Sequence, residues 1–111
     1  MTKPKLTIIN LTPHAIHLPD RVIEPSGIVA RCKEVTMQGY DFDGVALVYK
    51  MYCEVEDLPE FRQTWEDRKL YIVSMMVRQA LPDRDDIASP GDLVRDEQGN
   101  IIGCKNLVIN F

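Results

Sequence analysis

The sequence predicts an α+β fold, in which a mainly antiparallel sheet or partly closed barrel of about seven or eight short strands packs against one buried helix. Short β-branched or alternating apolar segments recur along the chain and are separated by turn residues. Met75 to Ala80 follows a serine suited to helix capping and is predicted to form the buried helix, because its apolar residues cover most of its surface. The 111 residues fit a single domain, 1–111.

The first half of the chain is predicted to contain strands joined by tight turns. Lys5 to Asn10 is rich in β-branched residues, and Pro13 then imposes a bend because it lacks a backbone donor. Asp43-Gly44 closes a hairpin loop expected at 39–44. The near-continuous apolar start of the strand after this loop suggests a central position in the sheet. Further strands are expected at 15–18, 22–24, 28–36 and 45–55.

The second half carries the predicted helix between strands. Pro59 is placed to open a helical turn with Phe61 and Trp65 on one face, although an ordered loop fits the same residues. Ser74 is expected to cap the helix, and Pro82 to end it. Strands are expected at 70–73, 93–95, 101–104 and 106–111, with a hairpin loop at 96–100.

Composition excludes several function classes. The net charge of −4 and the absence of a basic run argue against duplex nucleic acid as a partner. No apolar stretch approaches the roughly 20 residues that cross a bilayer, and the N-terminus lacks a secretory pattern, so we expect a cytoplasmic protein. The three cysteines are widely spaced, which favours free thiols and gives no local support for a zinc site.

Several motifs carry a resemblance. They are Asn-Leu-Thr-Pro-His at 10–14, Pro-Ser-Gly at 25–27, Arg-Asp-Asp at 84–86 and Val-Arg-Asp-Glu at 94–97. Because it carries these motifs in this order, the chain resembles a family of small bacterial and bacteriophage proteins. The resemblance implies a bacterial or phage origin, and with it a role in host–phage conflict, but no particular activity. The polar insert at 59–69 and the apolar tail at 107–111 depart from the family pattern.

Polar side chains at the proline bend and the next turn form one group of candidates. Thr12 and His14 are candidates to face a ligand, whereas turn-forming hydrogen bonds offer a structural explanation for Asn10 and Thr12. Ser26 lies in a glycine turn that can cradle an anion, and Arg31 offers a guanidinium for a bidentate contact. An ordinary turn with an edge arginine is the alternative.

The helix start and the charged turn after it form the second group. Ser74 and Arg78 lie where backbone N–H groups favour an anion, although Ser74 also suits a purely capping role. Arg84 and Asp86 belong to a carboxylate-rich turn that matches no calcium-loop pattern, and a solvated turn in which Arg84 pairs with Asp86 is the favoured alternative. The candidate ligand-binding residues are Asn10, Thr12, His14, Ser26, Arg31, Ser74, Arg78, Arg84 and Asp86.

These candidates predict a small non-enzymatic binding protein whose partner is another protein or a small anionic, nucleotide-like ligand. No catalytic residue, metal or cofactor is assigned. Two alternatives stay open: a hydrolase or lyase using His14 with Asp85 or Asp86, and a virion or assembly component. A homo-oligomer is also expected to be accessible, because an apolar C-terminal strand invites pairing between copies. The ligand hypothesis requires the proline bend and the helix start to lie close together.

Overall fold

The computed structural model describes residues 5–60 and 67–110. Within these ranges the protein is predominantly β with one short helix. The elements in chain order are β1 Lys5–Asn10, β2 Ile16–His17, β3 Val22–Ile23, β4 Arg31–Phe42, β5 Val45–Glu56, β6 Asp67–Ile72, α1 Met75–Ala80, β7 Ile87–Arg95 and β8 Ile101–Ile109. No helix in the described part of the chain is both long and apolar enough to span a bilayer.

The central sheet has four strands in the order β1-β6-β7-β8. The β1–β6 and β6–β7 pairings are parallel, and only β7–β8 is antiparallel. The strand pairs β2–β3 and β4–β5 form two separate antiparallel ribbons. Over the described residues the strands do not close into a barrel. Antiparallel pairing thus predominates over the described strands, as the sequence predicts, whereas the partly closed barrel is corrected to an open mixed sheet with two ribbons.

The core lies on both faces of the central sheet, because successive β6 residues point to opposite sides. On one face, Tyr71 and Val73 pack with Val77 of the helix and with Leu11 and Ala30. On the other face, Ile72 packs with Ile16 of the β2–β3 ribbon and with Cys104. The sheet is thus sandwiched between this ribbon and a layer formed by the helix and the start of β4.

The helix forms where the sequence predicts it. Ser74 is its N-cap, with the Oγ atom accepting a hydrogen bond from the Val77 backbone N–H at 3.2 Å. Val77 is buried, but Met75 and Met76 are 56% and 45% exposed. The prediction of a well-buried helix is therefore wrong, because six residues present only one narrow face to the sheet.

The longest element is the β4–β5 ribbon, which we call the arm (residues 31–56). The predicted Asp43-Gly44 turn is confirmed, and its positive φ angles of 51° and 78° match the twist of the hairpin strands. The expected loop at 39–44 is shorter than predicted, since β4 continues through Gly39 to Phe42. The pairing register shifts at Gly39, where an added Cβ would overlap the Leu47 carbonyl.

The arm has two chemically different faces, which follow from the register because paired residues share a face. We call one the apolar face; its members are Val35, Met37, Tyr40, Phe42, Val45, Leu47, Tyr49 and Met51. The opposite, polar face includes Glu34, Thr36 and Lys50. On it the Lys50 Nζ donates to Thr36 Oγ1 at 2.7 Å and lies 3.6 Å from a Glu34 carboxylate oxygen. β5 has β4 as its only strand neighbour among the described residues, so its predicted central position is wrong.

The β7–β8 hairpin confirms the predicted loop at 96–100. The Asp96 carboxylate accepts backbone hydrogen bonds from Gln98 and Asn100, each at 2.9 Å. These bonds, chiefly the one from Asn100, hold the Asp96 pKa below its usual range. The expected final strand continues β8 to Ile109. Of the suggested helical turn, Pro59 and Glu60 are not helical, and Phe61 and Trp65 lie outside the described residues.

Candidate functional site

The proline bend is organised by the buried side chain of Asn10, which is 1% exposed. Its Nδ2 donates to the carbonyls of His14 at 2.8 Å and Ile23 at 3.1 Å. Its Oδ1 accepts from the Thr12 backbone N–H at 2.9 Å and the Thr12 hydroxyl at 2.6 Å. The structural explanation offered for Asn10 and Thr12 is thus confirmed. The Asn10 side chain fixes the shape of the bend through these hydrogen bonds.

The bend and the helix start meet at one cavity, which we call the arm-base cavity. It measures about 240 Å³ and is open on one side. Thr12, Arg31 and Ser74 line it, so three candidates from three separate segments come together. Backbone hydrogen bonds hold these segments together. The Leu11 N–H donates to the Ile72 carbonyl at 2.8 Å, and the Ala30 N–H donates to the Leu11 carbonyl at 3.0 Å. The rest of the lining is mainly apolar and comprises Leu11, Pro13, Val29, Ala30, Cys32, Glu34, Tyr52 and Met76.

Among the residues that the structure describes, Arg31 is the only cation that lines the arm-base cavity. The described residues offer its exposed guanidinium no hydrogen bond or ion pair. Glu34 lies at the same cavity, but Lys50 offsets part of its charge. Burial, with smaller contributions from Cys53 and Glu34, raises the pKa of the Cys32 thiol. The cavity therefore offers one guanidinium without a partner among the described residues, the hydroxyls of Thr12, Ser74 and Tyr52, and mainly apolar walls, a set suited to binding rather than to nucleophilic attack by a thiolate.

His14 is exposed and lies in a different place from the cavity. With His17 it lines an apolar groove formed by the β2 segment and the β7–β8 hairpin, and none of the described carboxylates lines that groove. Cys104, also in the groove, has its pKa raised by burial. A general base needs its partner within hydrogen-bond reach or one water away. The geometry therefore does not favour acid–base chemistry by His14 with Asp85 or Asp86.

Arg84 and Asp86 form an ion pair, as the structural explanation predicts, but the pair is buried and does not lie in the solvated turn that was expected. The Arg84 Nε and Nη2 atoms donate to the two Asp86 carboxylate oxygens at 2.8 and 2.6 Å. The Asp86 side chain is 1% exposed and that of Arg84 is 19% exposed. Neither residue lines the arm-base cavity. The structure therefore does not bring this pair to the candidate site.

Arg78 and Ser26 also lie apart from the cavity. The Arg78 Nε donates to Ser89 Oγ at 2.8 Å, and its Nη1 donates to Asn110 Oδ1 at 3.2 Å. Ser26 is exposed, and its Oγ accepts from the Ile28 N–H at 3.3 Å within its own turn. Both polar groups are thus engaged in local structure.

Asn110 is a structural residue to which no sequence pattern pointed. Its Nδ2 donates to the carbonyls of Leu81 and Arg84, each at 2.9 Å, after the helix has ended. Tyr52 and Met76, which line the cavity, were also not singled out. The sequence shows only that Tyr52 lies on the same face of β5 as Lys50. Periodicity alone does not show which face of this strand packs against the rest of the protein.

No metal site is formed by the described residues, among which no three His, Cys, Asp or Glu side chains converge. Comparison with known proteins gives no match to a family model, a curated protein or a solved structure.

Proposed function

We propose that this chain is a small non-enzymatic binding protein that holds a small anionic ligand in the arm-base cavity. The observation that carries the proposal is that Thr12, Arg31 and Ser74 line one cavity. An unpaired guanidinium recognises a phosphate or carboxylate through two parallel hydrogen bonds. The expected bacterial or phage origin and the role in host–phage conflict are part of the same proposal.

The cavity restricts the size of the ligand. Its volume of about 240 Å³ lies just below the roughly 300–1,000 Å³ typical of sites for drug-sized ligands. A nucleotide would therefore place its phosphate and part of its sugar inside, with the remainder at the open side. Glu34 disfavours a second negative charge and can instead accept a hydrogen bond from a ligand hydroxyl.

Calorimetry and thermal-shift measurements with inorganic phosphate, AMP and a cyclic dinucleotide test the proposal. We expect saturable binding of at least one of these probes by the full chain. Because a hydrogen bond to a charged group contributes about 1.5–3 kcal/mol, Arg31→Ala should weaken binding by roughly 10- to 100-fold. Arg31→Lys should recover only part of the affinity, since it keeps the charge but loses the bidentate geometry.

Arg21→Ala is the matched control. Arg21 is also an exposed arginine, but it lies in the β2–β3 turn next to Asp20 and does not line the cavity. The control should bind like the wild type. Absence of binding by every probe, or equal affinity of Arg31→Ala and wild type, would refute the proposal.

A further inference from the structure

The apolar face of the arm is largely exposed to solvent. Seven of the eight side chains on its apolar face are between 40% and 68% exposed. Their register makes this one contiguous surface, because each residue lies opposite another apolar residue on the paired strand. Aromatic and methionine side chains, which are enriched in protein interfaces, form much of it. An extended apolar patch on a small protein marks an interaction site.

The chain exposes more surface than a compact monomer of its mass. The solvent-accessible surface is 8449 Å², whereas a compact monomer of 12.7 kDa is expected to expose about 6,200 Å². The excess of roughly 2,200 Å² is more than the ~800 Å² that each partner buries in a standard interface. The radius of gyration, 16.9 Å, also exceeds the ~13 Å expected for a compact chain of this length.

We propose that the apolar face of the arm is a self-association surface, through which two copies of this chain pack arm against arm. A two-fold axis brings the same surface of both copies together, so the surface must be compatible with itself. The apolar face meets this condition, since none of its eight side chains is charged, and Lys33, which follows on the same face at the base of the arm, is paired with Glu54. Glu34, Asp41 and Lys50 all lie on the opposite face, where they stay in water when the apolar faces meet.

The secondary structure of the arm supports the same conclusion. A two-stranded ribbon has only marginal stability by itself, and packing against another layer stabilises it. Two ribbons stacked face to face place their side chains in a shared layer about 10 Å thick, as in a β-sandwich. The second copy thus supplies the layer that the described residues do not provide over the arm. This inference is independent of the ligand proposed for the arm-base cavity.

The test is the oligomeric state of the full chain, measured by size exclusion with light scattering and by sedimentation velocity. We expect the wild type to have twice the mass of one chain at micromolar concentration. Tyr49→Lys places a charge in the middle of the apolar face and should give a monomer. Gln38→Lys adds the same charge to the opposite face of the arm and should leave the dimer intact.

Hydroxyl-radical footprinting gives a second measurement. It uses the wild-type protein and so does not depend on whether a variant folds. Met37, Met51 and Met75 are 47%, 50% and 56% exposed in the single chain. In the dimer, Met37 and Met51 should oxidise more slowly than Met75, and dilution should remove the difference. A larger assembly that Tyr49→Lys dissociates also supports pairing through the arm. A monomeric wild type, association unaffected by Tyr49→Lys, or equal oxidation of the three methionines would overturn it.

Discussion

Asn10 holds the proline bend together, and replacing it tests whether that bend is as important as its hydrogen bonds indicate. Asn10→Ala removes two donated and two accepted hydrogen bonds from a side chain that is 1% exposed. Each such bond contributes about 1 kcal/mol net. Because the carbonyls of His14 and Ile23 lose a partner in a confined place, we expect a loss of about 3–5 kcal/mol in the free energy of unfolding.

This loss is large enough to measure by thermal denaturation followed by circular dichroism. For a chain of 111 residues, the melting entropy is about 0.23 kcal/mol/K, so each kcal/mol lowers Tm by roughly 4 °C. Asn10→Ala should therefore lower Tm by about 13–20 °C. Ser26→Ala, which removes only an exposed turn contact, is the control and should change stability by less than about 0.5 kcal/mol.

Asn10→Asp separates the two halves of the Asn10 network. The aspartate keeps the acceptor for Thr12 but directs a carboxylate oxygen at the carbonyls of His14 and Ile23. Protonation relieves this repulsion, so the stability deficit relative to wild type should shrink as the pH falls through the raised folded-state pKa of the new carboxyl group. A Tm change of less than about 3 °C for Asn10→Ala would refute the reasoning.

Two further predictions concern buried groups. Arg84→Ala should destabilise the protein by about 3–5 kcal/mol, because it leaves the Asp86 carboxylate buried without its charge partner. In urea titrations the double variant Arg84→Met/Asp86→Leu should recover most of that loss, and no recovery would contradict this explanation. Burial raises the pKa of the Cys104 thiol above its ordinary value, which favours the neutral thiol in the folded protein. This contribution to stability is present below pH 9 and is lost as the pH rises through the folded-state pKa. Iodoacetamide at pH 8 should thus alkylate Cys104 more slowly in the native protein than in urea, and equal rates would contradict the prediction.

Local signals in the sequence predicted local structure well. Asp43-Gly44 specified its turn because both residues tolerate positive φ. Ser74 specified the helix start because its hydroxyl can satisfy a free N–H group. The 96–100 loop followed from polar turn residues between two apolar segments. In each case the interacting atoms lie within a few residues of one another.

The strand pairings between distant segments were not predicted. β1 runs parallel to β6, so Lys5 pairs with Asp67, and no short-range pattern encodes that partner. The apolar residues of β5 indicated a central strand. However, a buried apolar face and an exposed apolar face show the same alternation of residues in the sequence. Gly39 suggested a loop, whereas it occupies an irregularity within a continuing strand.

The candidate site was predicted in part. Thr12, Arg31 and Ser74 line one cavity, so the required proximity of the proline bend and the helix start is confirmed. His14 and Ser26 lie elsewhere, and Arg84 and Asp86 interact with each other. Sequence alone identifies residues capable of binding but does not show whether an internal partner already occupies them.

The parallel pairing of β1 with β6 has a consequence for how the chain reaches its native state. The arm and the β7–β8 hairpin each pair segments that are adjacent in the sequence. β1 instead pairs with β6, which begins only at Asp67. Closing long loops is slow because their entropy is lost before any contact compensates for it. Both hairpins should therefore form while the central sheet is still open. Refolding yield should accordingly fall as chain concentration rises, since the arm is exposed during that interval.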